Sequence, residues 1–163
     1  MIPATPNDLF RYLEDLGIST ETTHHGAVFT VEEARVERGD LPGGHSKSLF
    51  LRNKKEKMWL VVAKEDRPID LKDLATRLGA GRFSFGSPDR LMRILGVIPG
   101  AVTPFAILND TEGLVQVVLD RGLVESDLLN FHPLDNTMTT AIGSEDLLKF
   151  LEATGHDPQM IDL

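Results

Sequence analysis

The chain has 163 residues, 41% hydrophobic and 26% charged, the proportions of an ordinary globular protein with material for one substantial core. A formal net charge of −8 argues against a protein that coats nucleic acid indiscriminately, and no apolar run reaches the roughly 18 residues a membrane-spanning helix needs. The absence of cysteine removes disulfides, thiolate nucleophiles and cysteine-based zinc sites. The N-terminal MIPATPNDLFRYLEDLG has acidic residues and no apolar h-region, so it does not read as a secretory signal. One domain over residues 1–163, cytoplasmic in location, is the expectation.

In chain order, Thr5 and Pro6 predict a helix start, with Leu9, Phe10, Leu13 and Leu16 as its apolar stripe and Gly17 as its stop. Residues 18–24 read as a threonine-rich strand. Thr30 and Glu33 fit a capping box for a short helix over 31–36. After the turn-rich GDLPGGHS, residues 48–52 and 58–63 predict a hairpin around a charged turn, the second strand apolar enough to be buried on both faces. Asp70 predicts a helix cap and Gly79 that helix's end, and residues 83–85 a short strand. Ser87 and Pro88 predict another helix, through Leu95 to Gly96. Residues 105–108 and 114–119 suggest a second hairpin, then an extended segment over 131–142 and a last helix capped by Ser144. This interspersion predicts an α+β fold with a mixed or antiparallel sheet rather than a doubly wound parallel one.

Familiar motifs are missing: there is no Walker loop, no dinucleotide fingerprint, no H-E-x-x-H and no G-x-S-x-G. His24, His25, His45, His132 and His156 match no common metal spacing, so neither a metal nor a cofactor is expected. Ser46 and Ser48 flank Lys47, but neighbours on a strand face opposite ways, which removes a Ser–Lys dyad. Lys47 itself stands where a glycine turn meets an inward strand. It either snorkels into water or stands at the mouth of a pocket. The run LGVIPGAVTPF sets two glycines and two prolines in apolar surroundings. It is a rigid buried connection, or one that also aims backbone N–H groups at a carbonyl.

The segments HSKSLFLRNKK, MWLVVAKEDRPIDLKDLATRLG, FSFGSPDRLMRILGVIPGAVTPFAILND and NFHPLDNTMTTAI carry a resemblance. The chain is similar to the free-standing relatives of the bacterial prolyl-tRNA synthetase editing domain, most of all the branch that clears alanine mischarged on tRNA(Pro). The likeness spans about residues 5–155. It implies a mixed sheet curled into a partial barrel with helices around it, and hydrolysis of an aminoacyl ester without metal or cofactor. Transferred to this numbering, it implies a catalytic set of Lys47, Gly100, Ala101, Val102, Thr103, Pro104 and His132. Candidate pocket walls are Ile18, Phe50, Val102 and Met138. Arg82, Lys54 and Lys55 are candidates for tRNA contact, with Lys57 beside them. A lysine titrates near ~10.4 unless desolvated, so Lys47 is read as a phosphate or hydroxyl ligand rather than a base. The implied partner is the acceptor end of tRNA(Pro), with neither DNA nor membrane. The alternatives are a noncatalytic tRNA or small-ligand binding module, and the same deacylase acting on cysteinyl or seryl esters.

Overall fold

Six consecutive buried residues, 58–63, form the centre of the fold. They belong to β3 (Met58–Lys64), in a computed structural model that describes residues 2–27, 30, 32, 33, 36 and 41–163. β3 pairs antiparallel with β2 (Gly44–Arg52) and parallel with β5 (Val115–Asp120), so both its faces and both its edges are occupied. Beyond β2 lie β6 (Leu128–Phe131), β7 (Met138–Gly143) and β1 (Glu21–His24). Beyond β5 lies β8 (Gln159–Ile161), and β4 (Ser84–Phe85) attaches to β2. Parallel and antiparallel pairs coexist in one sheet. The α+β fold with a mixed sheet is therefore as expected.

Alternation along β3 divides the core in two. Met58, Leu60 and Val62 join the larger cluster, with Leu9 and Leu13 of α1 (Pro6–Asp15), Leu91 and Leu95 of α3 (Pro88–Leu95), Leu123 of α4 (Arg121–Val124), and Phe150 of α5 (Ser144–Ala153). Trp59 and Val61 face the other way, onto Leu74 and Ala75 of α2 (Leu71–Arg77) and Phe83. The helix starts follow their signals. Thr5 and Asp8 complete a capping box, and the Asp70 and Ser87 side chains each accept first-turn N–H groups. Gly96 ends α3 at φ 68°, where a Cβ would stand 2.7 Å from Asn109 Nδ2. Thr30 Oγ1 accepts the Glu33 N–H at 3.1 Å, and of the helix expected over 31–36 the described residues Glu32, Glu33 and Val36 are helical, the other three lying outside the described residues.

Several expectations need correction. The segment placed as a strand at 105–108 is a 3-10 helix, Pro104–Asn109. Proline fixes φ and lacks a donor, and Thr103 Oγ1 accepts the Phe105 N–H at 3.3 Å, which starts a turn rather than a ladder. The polar residues after it form a junction, not a hairpin loop. Asn109 donates to the Leu95 carbonyl and accepts the Ala4 N–H, both at 2.9 Å, and Asp110 accepts from Leu114 and Val115. β5 then runs parallel to its neighbours. Residues 131–142 are not one extended segment, because Leu128–Phe131 and Met138–Gly143 fold back antiparallel on each other. The strand expected over 18–24 is confined to Glu21–His24. Ser144 is the first residue of α5 rather than its cap, which is Gly143, and Glu145 and Asp146 supply favourable charge in that first turn. β8 has no counterpart among the expected elements.

Buried Asp110 and His156 meet at 2.8 Å, and Thr154 Oγ1 lies 3.0 Å from the other ring nitrogen. Burial raises the Asp110 pKa, but the bonds from His156, Leu114 and Val115 outweigh it and hold the carboxyl below 3.8. A depressed carboxyl stabilises the fold above its unfolded pKa, and that contribution is lost as pH falls through the folded value. The urea midpoint is expected to drop as pH passes below 3.8, and to drop less over that interval in Asp110→Asn.

Candidate active site

Lys47 lies near the middle of β2, opposite Ala63 of β3, and is half-buried. Ser46 Oγ donates to the Asn130 carbonyl at 3.3 Å, whereas Lys47 Nζ donates to the Arg67 carbonyl, so the two side chains diverge as strand geometry requires. An ammonium has three N–H bonds, and the carbonyl takes one of them. The turn that supplies this carbonyl also walls a polar cavity of about 430 Å³, lined by Gly44, His45, Lys64, Glu65, Asp66 and neighbours.

Residues 100–104 are tightly held. Ala101, Thr103 and Pro104 are buried, and Val102 packs against the larger core. The Ala101 N–H bonds the Ile98 carbonyl at 2.9 Å, and the Ala106 N–H bonds that of Thr103 at 3.1 Å. The N–H groups of Val102 and Thr103 meet no acceptor among the described residues. Backbone donors fixed in this way are the kind that can stabilise a developing oxyanion.

His132 follows β6. Its Nδ1 lies 2.9 Å from the Met138 carbonyl, which can only accept, so Nδ1 carries the proton and Nε2 of the neutral ring presents a lone pair. Burial pushes its pKa below 6.5, aided by nearby His25 and opposed by the Met138 bond and Asp135. The His25 ring lies 6.1 Å away, with its Nε2 2.8 Å from Thr139 Oγ1. Of the candidate walls, Ile18 and Phe50 are buried in the same cluster that Val102 packs on, while Met138 is partly exposed on β7. Gly86 leaves room for the Phe50 ring, since a Cβ there would stand 2.4 Å from its Cδ2.

The cationic candidates converge. Lys54, Lys55, Lys57 and Arg82 are exposed and line one cleft of about 370 Å³, with Trp59 and Gly79–Gly81 completing its wall. Buried Asn53 assembles it: Nδ2 donates to the Ala80 carbonyl, and Oδ1 accepts the Lys55 and Lys57 N–H groups, all at 3.0 Å. Glu56 engages Arg52 and Arg90, and among the described residues no carboxylate pairs with the four cleft cations. Among the described residues, too, no group of three or more His, Asp or Glu could hold a metal ion, and no helix is long and apolar enough to cross a membrane.

Residues 25–150 match the family model described as the aminoacyl-tRNA editing domain. The chain belongs to that family. An editing domain is an aminoacyl-tRNA deacylase, and its partner is the charged tRNA. The chain is 41% identical to the Bos taurus protein named prolyl-tRNA synthetase associated domain-containing protein 1, over 92% of this chain and 90% of that one. It is 40% identical to the Acetoanaerobium sticklandii protein named prolyl-tRNA editing protein ProX, over 93% of each. A solved structure described as a putative trans-editing enzyme for prolyl tRNA synthetase superposes with a TM-score of 0.74 at 20% identity. That match covers 98% of this chain and 97% of the other, and shows the shared fold.

The ester that an editing domain cleaves is already activated, so positioning and charge stabilisation can carry the reaction without a metal or a strong nucleophile. Two features of this editing domain lay outside sequence reasoning. Lys47 shares its face of β2 with Leu49 and Leu51 of the smaller cluster, whereas Phe50 and residues 101–102 belong to the larger one. The roles of Asn53 and Arg67 depend on contacts 27 and 20 residues away along the chain, and no local pattern signals either.

Proposed function

We propose that residues 1–163 act as one editing domain that hydrolyses alanine mischarged on tRNA(Pro) in trans and spares Pro-tRNA(Pro). The observation that carries this reading is the 40% identity, along 93% of the chain, to a protein named a prolyl-tRNA editing protein. The Val102 and Thr103 N–H groups receive the aminoacyl carbonyl oxygen. Water adds to the carbonyl carbon, the bond to the ribose oxygen breaks, and that oxygen leaves as a hydroxyl with one of the water protons, while the other passes to solvent and the amino acid departs as its carboxylate. Lys47 holds the terminal adenosine through its phosphate or hydroxyl, and His132 Nε2 accepts a hydrogen bond from the substrate amine or ribose. Ile18, Phe50, Val102 and Met138 limit pocket size, so that a proline ring is excluded by clash while a methyl is admitted.

The test is to follow ester loss from alanyl-, prolyl-, cysteinyl- and seryl-tRNA with catalytic amounts of protein. Selective loss of the alanyl ester from tRNA(Pro) supports the reading. Preference for the cysteinyl or seryl ester replaces the substrate, and binding with no hydrolysis of any ester contradicts the deacylase assignment itself.

Two further expectations accompany this reading. If His132 serves as a neutral acceptor, kcat/KM should fall on the acid side with an apparent pKa below 6.5, and the limb should disappear in His132→Gln. If Lys54, Lys55 and Arg82 meet phosphates in the cleft, log Kd for tRNA should vary with log salt at a shallow slope of about 0.7–0.9 per phosphate contacted. Arg82→Ala should then reduce that slope by roughly one contact, a change that salt titration of tRNA binding would detect.

A further inference from the structure

Asp120 ends β5 with its side chain 1% exposed, and its carboxylate both caps the short helix Arg121–Val124 and holds the turn beside Lys47. Oδ2 accepts the Lys64 N–H and the Arg67 Nε–H, each at 3.2 Å, and Oδ1 accepts the Gly122 N–H at 3.1 Å. The Arg67 N–H closes back on the Lys64 carbonyl at 3.1 Å, so the carboxylate clamps both ends of one tight turn. The carbonyl of that same Arg67 receives the Lys47 ammonium. Gly122 keeps the clamp open, because a Cβ there would stand 2.7 Å from Arg67 Nη2.

We propose that Asp120 is the positioning residue for Lys47: it fixes the 64–67 turn, whose Arg67 carbonyl holds the ammonium and leaves two N–H bonds for substrate. This rests on the reading above, in which Lys47 engages the substrate. A buried carboxylate needs a charged or hydrogen-bonding partner, and the Arg67 guanidinium with two backbone N–H groups supplies one. That requirement alone would be met by any nearby cation. The specific feature is that the partner chosen is the residue whose own carbonyl holds Lys47. Displacing a positioning group by about 1 Å can lower a rate by roughly 100-fold, so the clamp bears directly on turnover.

The experiment measures deacylation of alanyl-tRNA(Pro) by wild type, Lys47→Ala, Asp120→Asn and the double variant, with tRNA affinity and thermal unfolding in parallel. Asp120→Asn keeps the shape but turns an NH2 or a neutral oxygen toward Arg67. Its expected effect is a roughly 10- to 100-fold fall in kcat with tRNA Kd nearly unchanged, and no further fall when Lys47 is already alanine. Gly122→Ala displaces the guanidinium while leaving the carboxylate intact. It should act in the same direction, and it decides the matter if Asp120→Asn does not fold. Equal rate losses with and without Lys47 would assign Asp120 a purely structural role and overturn the proposal. So would wild-type kcat in folded Asp120→Asn and Gly122→Ala beside an inactive Lys47→Ala, an outcome that leaves the role of Lys47 standing. Full activity in Lys47→Ala would overturn both.

Discussion

Replacing Lys47 by alanine is expected to lower kcat/KM for the alanyl ester by roughly 10- to 150-fold while leaving the fold intact. A hydrogen bond from a charged donor contributes about 1.5–3 kcal/mol, and that range converts to this factor. The backbone should tolerate the change, because the β2–β3 register runs from Ser46 to Arg52 opposite Lys64 to Met58 and Lys47 is one pair among seven. The side chain lies near the middle of its strand, half-buried, so its stem also contributes packing. Lys47→Met separates the two effects, since it retains the stem and removes the ammonium. If the methionine variant is as impaired as the alanine variant and unfolds at the same urea concentration as wild type, the charge is what the substrate uses. If methionine restores turnover, Lys47 acts through packing, and the ammonium has no part in the reaction.

Most of the helices are legible in the sequence because their signals are local. Thr5 with Pro6, Asp70 and Ser87 with Pro88 each satisfy first-turn N–H groups from within a few residues, and the structure uses them in that way. The β2–β3 hairpin was equally readable, since a charged turn joins two apolar runs. The failures have two physical origins, a local choice that apolar content does not decide and strand partners far along the chain. Whether residues 105–108 form a strand or a 3-10 helix depends on Pro104 and the Thr103 hydroxyl, while their apolar content suits both. β5 looked like half of a hairpin because its true partners, β3 and β8, are parallel and distant in sequence. The candidate site shows the same division. Lys47, His132 and residues 100–104 can be singled out along the chain, but the divergence of Lys47 from the larger core follows only from the parity of β2. The His132 tautomer likewise needs the Met138 carbonyl, six residues away across the turn between β6 and β7. The cationic cleft is half readable: the lysines are adjacent in sequence, and Arg82 joins them because Asn53 ties the β2–β3 turn to Ala80 and β4 pairs with the end of β2.

Phe105→Ala is expected to have the largest effect on stability, about 3–5 kcal/mol. The ring is fully buried and stands edge-on to two others, Phe131 at 5.8 Å and Phe150 at 5.6 Å. Phe150 in turn meets Tyr12 at 5.8 Å, so one aromatic chain ties α1, α5 and β6 together through the 3-10 helix. A domain of this size is typically stable by about 5–15 kcal/mol, so the variant should remain folded at low temperature yet unfold at a much lower urea concentration, with an unchanged m-value. Phe105→Leu should lose less, because it leaves a smaller cavity. A loss under about 1 kcal/mol in the alanine variant would mean that the site collapses freely and that the aromatic chain is not a structural tie. The position also bears on catalysis. Phe105 directly follows residues 100–104, so the cavity would open behind the backbone proposed to receive the carbonyl oxygen. Turnover by the folded fraction should therefore fall as well, and rescue by leucine should restore stability and rate together. Restoration of stability alone would show that residues 100–104 are held by Pro104 and the Thr103 cap rather than by the ring behind them.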